Sequence, residues 1–138
     1  MRDPLPPVAA AQAMATVRAV RLALLALHKR LIDTERERFE QSRGRIEGPH
    51  EALRLLMTDP FFAWFKPVGH LIVECDGWLA DERFRQATDA TRLLARVRAL
   101  LSGDAGDPFA TEYRRALQDS TDVVVAHARV AAILAAGR

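Results

Sequence analysis

The 138-residue chain is predicted to be all-α: one domain over residues 1–138, forming an antiparallel bundle of four to five helices with a long first helix. Apolar residues recur every three or four positions along most of the chain, which is the helical period. Proline and glycine interrupt this period at a few places, where helices are expected to begin or end. The β-branched run Val123-Val124-Val125 lies within a helical period, so no strand pattern competes.

The first helix is predicted over about residues 8–41, because Pro6-Pro7 suits a helix start and Gly44 suits the position after a helix end. A short helix is predicted after Gly48-Pro49. The residues expected to face inward are Val17, Val20, Leu24, Leu27 and Leu31 in the first helix and Leu53, Leu56 and Met57 in the second.

A third helix is predicted over about 60–80, with Asp59 as its N-cap and Pro60 at its first position. Pro67 lies inside it and is expected to kink it or divide it in two. Apolar residues cover a wide arc of this helix, so it is expected either to be central or to be half-buried in a partner.

Two further helices are predicted, over about 83–102 and about 108–135. Asp107-Pro108 repeats the cap-and-proline start of the third helix. The inward face of the last helix is expected to contain Phe109, Tyr113, Ala116, Ser120, Val123, His127, Val130 and Leu134.

Composition indicates a cytoplasmic protein. Cys75 is the single cysteine, so an internal disulfide is impossible. The most apolar segment, Val17 to Leu27, contains Arg18 and Arg21 and falls short of the roughly 18 uninterrupted apolar residues of a membrane span. A net charge of +2 is weak evidence for an anionic partner.

Several polar residues are predicted to face the core. Arg21, His28 and Glu35 are spaced by sevens along the first helix, Asp76 borders the core face of the third, and His127 faces inward from the last. Buried charges are costly unless they are paired, so these groups are expected to meet. One interpretation is a metal or haem site with His28 and His127 as ligands and Glu35 or Asp76 assisting. The other is a hydrogen-bonded cluster, such as His28 with Asp76, that fixes helix register.

Other candidate chemistry is weaker. His70 and Glu74 have the i, i+4 spacing of a ligand pair but are expected to point to solvent. Cys75 lies on an apolar seam between acidic neighbours, which is typical of a core residue and not of a nucleophile. The sequence contains no phosphate-binding glycine loop, nucleophile elbow or paired zinc half-site, so nothing specific indicates an enzyme.

Stripes of basic residues suggest a weaker alternative, nucleic-acid binding. They are Arg18, Lys29 and Arg36 on the first helix and Arg85, Arg92 and Arg96 on the fourth. Acidic residues are interleaved with them, among them Asp33, Glu37 and Asp89, which favours a solvated surface.

The segment from Phe61 to Trp78 is rich in aromatic residues. On a regular helix Phe62 lies far around the axis from Trp78, so Phe62, Trp64 and Trp78 cannot all face one core. We therefore expect this aromatic flank to bury against a second subunit, where aromatic residues are enriched.

Part of the chain resembles a family of small bacterial all-α proteins. The resemblance rests on Leu27-His28-x-x-Leu31-Ile32, on Asp59-Pro60-x-Phe62-Ala63-Trp64 and on Leu71-Ile72-Val73-x-x-Asp76, and it covers about residues 24–80. It implies that His28, Glu35, Asp59, Trp64 and Asp76 belong to the family pattern, whose members more often carry a small hydroxyl residue at the position of His70. The resemblance implies a fold and no activity.

Together these observations predict a non-enzymatic cytoplasmic protein that acts through self-association, as a homodimer, or through a protein partner. Phe62, Trp64 and Trp78 are the predicted interface. The alternatives are a metal or haem bundle and nucleic-acid binding.

Overall fold

The structure is a computed structural model that describes residues 7–81, 87–103 and 107–137. Within these ranges the all-α prediction is confirmed, but the six α-helices exceed the predicted four to five. The elements are α1 (Pro7–Arg43), α2 (Gly48–Thr58), a 3₁₀ helix (Pro60–Phe65), α3 (Lys66–Ala80), α4 (Ala87–Ser102), α5 (Pro108–Asp119) and α6 (Thr121–Ala136). The predicted start of the fourth helix, at about residue 83, lies outside the described residues.

The predicted third helix is divided in two, as Pro67 suggested. Asp59 caps the 3₁₀ helix, accepting a hydrogen bond from the Phe61 backbone N–H at 2.9 Å. Pro67 stands in the first turn of α3, where its missing N–H costs no helical hydrogen bond. The aromatic residues 61–65 therefore follow 3₁₀ geometry and not α geometry.

The prediction of one helix over 108–135 is wrong, because Ser120 separates α5 from α6. Ser120 adopts extended backbone angles, φ −138° and ψ 118°, which no helical residue has. Its hydroxyl accepts a hydrogen bond from the Val123 backbone N–H at 3.3 Å, so Ser120 is the N-cap of α6.

Helix α1 supplies much of the core, with α3 on one side and α6 on the other. At 37 residues it is about 55 Å long. Arg21 bonds Asp76 of α3, and Arg30 lies 3.9 Å from Asp122 of α6. The α1 residues that were predicted to face inward are fully buried: Val17, Val20, Leu24, Leu27 and Leu31. Fully buried residues of the other helices complete this core: Val68, Cys75, Val97, Ala116, Val123 and Val130.

Of the three residues that were predicted to face inward from helix α2, only Leu56 does so. Leu55 is its buried residue, and Leu56 packs partly against the core. Leu53 and Met57 were expected to point inward, but they are 56% and 65% exposed. Helical geometry sets Leu53 and Met57 roughly opposite Leu55, so the packing of Leu55 turns them to solvent.

By length and composition alone, α1 could also cross a membrane. An 18-residue window within Val8–Arg43 has a mean hydropathy of 1.4, and 22% of that window is buried. Core helices of globular proteins and N-terminal signal sequences meet the same criterion.

Candidate functional site

The most enclosed polar side chain of the described residues is Glu35, which is 0% exposed. Arg38, almost one turn further along α1, donates from Nε to Glu35 Oε2 at 2.8 Å. Trp64 of the 3₁₀ helix donates from Nε1 to Oε1 at 2.8 Å, and Arg115 of α5 donates to the same oxygen. This Glu35 cluster (Glu35, Arg38, Trp64 and Arg115) therefore joins three separate segments of the chain.

Neighbouring side chains hold the two arginines of the Glu35 cluster in place. The Arg38 guanidinium carbon lies 4.2 Å from the centroid of the Phe61 ring. Arg115 also bonds Glu112 at 3.0 Å and Asp119 at 3.1 Å. Three side chains donate to this buried carboxylate and satisfy its charge within the protein, so the Glu35 cluster acts as a structural anchor between the three segments.

His28 belongs to an apolar environment. Its ring packs edge-on against Phe65 with centroids 5.6 Å apart, and a β-carbon placed on Gly69 would lie 3.7 Å from its Nε2. Burial lowers the pKa of His28 from its ordinary value of 6.5. The expected bond between His28 and Asp76 is not formed, since Asp76 bonds Arg21 instead.

His127 lies in a different part of the fold. Its Nδ1 is 2.7 Å from the Tyr113 hydroxyl, which joins α6 to α5. Burial lowers the pKa of His127 from its ordinary value of 6.5 and raises that of Tyr113, so both groups are neutral at pH 7. His127 also borders a cavity between α4 and α6, together with Arg98.

The structure does not bring the four candidate metal ligands together. His28 lies against the 3₁₀ helix and α3, His127 against α5, Glu35 in its own cluster, and Asp76 on Arg21. In the part of the chain that is described, no group of three or more His, Cys, Asp or Glu side chains could hold a metal ion.

The remaining candidates on α3 are the possible ligand pair His70 and Glu74 and the possible nucleophile Cys75. His70 is exposed, as expected, and Glu74 forms an ion pair with Arg96 at 2.8 Å. Cys75 is fully buried, and burial together with the charges of Asp76 and Glu74 raises its pKa to about 11. The thiol therefore stays protonated at neutral pH and is a poor nucleophile.

The geometric premise of the predicted aromatic interface is wrong. Phe62 is 2% exposed and Trp78 is 9% exposed, and both belong to the core, while Trp64 is half-buried in the Glu35 cluster. The premise assumed about 100° per residue from 60 onward, whereas a 3₁₀ helix advances about 120°. Over residues 60–65 this difference turns Phe62 into the core, beside Phe39 and Phe65.

The arginine stripes are partly neutralised. Arg36 pairs with Glu40 at 3.6 Å, and Arg96 with Glu74. Arg92 is exposed, and Arg85 lies outside the described residues. Ion pairs within the protein compete with phosphate contacts, so the stripes offer less free positive charge than their sequence suggests.

Comparisons with protein-family models, with curated proteins and with solved structures found no match. The resemblance of residues 24–80 to a bacterial family therefore stays a prediction.

Proposed function

We propose that this protein is a non-enzymatic, cytoplasmic helical bundle that acts by self-association, with two copies packing the outward faces of α1 against each other. The observation that supports this proposal is a group of large apolar side chains in solvent on neighbouring helices. Leu22 is 62% exposed, Val73 is 67% exposed, and Leu25 is exposed beside them. Contiguous apolar surface of this kind marks interaction sites more often than scattered residues do.

The register between α1 and α3 makes these residues neighbours. Arg21 contacts Asp76, and His28 contacts Gly69, so residue numbers add to 97 in both pairs and the helices run antiparallel. By the same sum, Val73 lies level with Leu24, the residue just before Leu25.

Side-chain direction agrees with this register. Leu25 is four residues after Arg21 and three before His28, so it shares the face of α1 that meets α3. Val73 is four residues after Gly69 and three before Asp76, so it shares the corresponding face of α3. Leu22, Leu25 and Val73 therefore form one apolar area, the α1/α3 patch.

Charge placement along α1 favours a second copy of this chain as the occupant. Arg18 and Asp33 stand at the two ends of the outward stripe that contains Leu22 and Leu25. Their midpoint falls between Leu25 and Ala26, so a two-fold axis there would bring Arg18 of one copy to Asp33 of the other, twice. Within the described residues Arg18 has no ion pair, and Asp33 has only distant ones, at 3.9 and 4.0 Å. An antiparallel α1–α1 contact is thus complementary to itself in charge at its two ends, with Leu25 beside the axis and Leu22 facing Lys29 of the other copy.

Sedimentation velocity over a range of concentrations tests the proposal. The wild-type chain should form a dimer, and Leu22→Arg should weaken it by about tenfold or more, because it replaces an apolar side chain with a cation that faces Lys29 of the other copy. Leu53→Arg is the matched control, since Leu53 is about as exposed but lies on α2. Arg18→Asp should weaken the dimer, and Arg18→Asp combined with Asp33→Arg should restore it.

A monomeric wild-type chain at all concentrations would contradict the proposal, as would a dimer disrupted by Leu53→Arg and not by Leu22→Arg. Native mass spectrometry of the untreated protein tests the metal or haem alternative in the same sample. Mass beyond the bare chains, lost in His28→Ala or in His127→Ala, would favour that alternative instead.

A further inference from the structure

A cavity of about 250 Å³ lies between α4 and α6, away from the α1/α3 patch. Its walls are mainly apolar, and three polar side chains border it. The lining residues are Arg98, Leu101, Ser102, His127, Ala131, Leu134 and Ala135. An apolar pocket with a few convergent polar groups is the usual form of a small-ligand site.

Arg98 is the charged residue of this cavity. Its Nη2 donates to the Leu134 backbone carbonyl at 3.2 Å. Its Nε is buried and, among the described residues, meets no hydrogen-bond acceptor. No carboxylate in the described ranges forms an ion pair with Arg98, and none lines the cavity. A buried donor on an uncompensated cation is costly, so the arrangement favours an anionic acceptor beyond those that the described residues supply.

His127 adds a second donor. The Tyr113 hydroxyl has one hydrogen-bonding neighbour in the described part of the chain, Nδ1 of His127. In the described part of the chain the Tyr113 hydroxyl proton is satisfied only by donation to Nδ1, and with that donation the ring proton of the neutral imidazole resides on Nε2. Because Nδ1 is occupied by Tyr113, Nε2 is the nitrogen that His127 can offer to a molecule in the cavity.

We propose that this cavity binds a small monocarboxylate with a short apolar tail. The carboxylate would accept hydrogen bonds from Arg98 and from Nε2 of His127, and the tail would lie against Leu101, Ala131 and Leu134. A planar carboxylate matches the two-pronged donor geometry of a guanidinium. One cation beside a neutral imidazole balances a single negative charge, whereas a phosphate dianion would need more positive groups than the cavity has.

Proton–nitrogen NMR with hexanoate as the probe tests the proposal, because it reads out binding at named positions. Hexanoate should shift the Arg98 Nε–H signal and the backbone amides around Ser102 and Ala131, and hexanol and inorganic phosphate should leave them in place. Arg98→Gln should weaken hexanoate binding by about tenfold or more, since it removes the charge-assisted hydrogen bonds. Arg98→Lys should weaken it less, because it keeps the charge.

Ala131→Leu provides a variant that keeps every polar group. Leucine is a good helix former, so α6 should fold normally while the larger side chain fills part of the cavity and reduces hexanoate binding. Arg129→Gln, at an exposed position of the same helix, is the matched control and should bind hexanoate as the wild type does. No hexanoate shift at millimolar concentration, equal shifts with hexanol, or binding unchanged in both Arg98→Gln and Ala131→Leu would overturn the proposal.

Discussion

Removing the Glu35 carboxylate is expected to be among the most destabilising single polar substitutions in this chain. Glu35→Ala deletes an acceptor that is bonded on both oxygens at 0% exposure. The Trp64 indole N–H then loses its acceptor, which alone costs about 1–3 kcal/mol when the group stays buried. Arg38 and Arg115 lose a shared counter-charge at the same time.

The size of the effect follows from the surroundings of the two arginines. Breaking a fully buried ion pair costs about 3–5 kcal/mol. Arg115 is partly solvated and keeps Glu112 and Asp119 as partners, and Arg38 is also partly exposed, so the lower end applies. We expect the free energy of unfolding to fall by about 3 kcal/mol and Tm to fall by roughly 10 °C.

Urea denaturation followed by circular dichroism measures this loss. Glu37→Ala is the control: the same substitution on the same helix, at an exposed position with no ion pair in the described part of the chain, should change stability by less than about 0.5 kcal/mol. Trp64→Phe should cost about 1 kcal/mol beyond the change in ring packing. If Glu35→Ala matches Glu37→Ala, the Glu35 cluster is not an anchor and the reasoning fails.

Three further effects should be measurable. Ser120→Ala should lower the free energy of unfolding by about 1 kcal/mol, because α6 loses its cap; a change no larger than that of Gln118→Ala would contradict this. Cys75 should react with iodoacetamide far more slowly in the native than in the urea-unfolded chain, since its thiol is buried with a pKa near 11; rapid labelling of the native protein, seen by mass, would contradict it. Burial lowers the pKa of His28 from 6.5, so the unfolded state binds more protons and stability should fall as pH drops below 6.5. Burial lowers the pKa of His127 too, so His28→Gln should flatten only part of that dependence in urea titrations at different pH, and an unchanged slope would rule out His28 as a source.

Periodicity predicted the helices well and their breaks less well. Spacings of three and four continue from Ala116 through Ser120 to Val123, so the pattern alone gives one helix where there are two. The missed signal was chemical: Ser120 with Asp122 two residues later is a typical helix start. A single extended residue can redirect a chain without disturbing the apolar period on either side of it.

The Glu35 cluster shows what a single sequence can and cannot predict about a site. Helical spacing correctly placed Glu35 on the core-facing stripe of α1, and its contact with Arg38 at i+3 was within reach of the same reasoning. Its other partners, Trp64 and Arg115, are 29 and 80 positions away. Such contacts depend on how helices pack, and the 3₁₀ turn that orients Trp64 has a different period from the helix that was assumed.

If the chain dimerises as proposed, inward and outward residues of α1 contribute to thermal stability in two separable ways. Glu35 stabilises each copy, so Glu35→Ala should lower Tm by the same amount at every protein concentration. Leu22 contributes through the second copy, and mass action makes the Tm of a dimer rise with concentration. Leu22→Arg should abolish that rise while leaving the Tm of the dilute protein unchanged. A Tm independent of concentration in the wild type would show that the exposed face of α1 has another role.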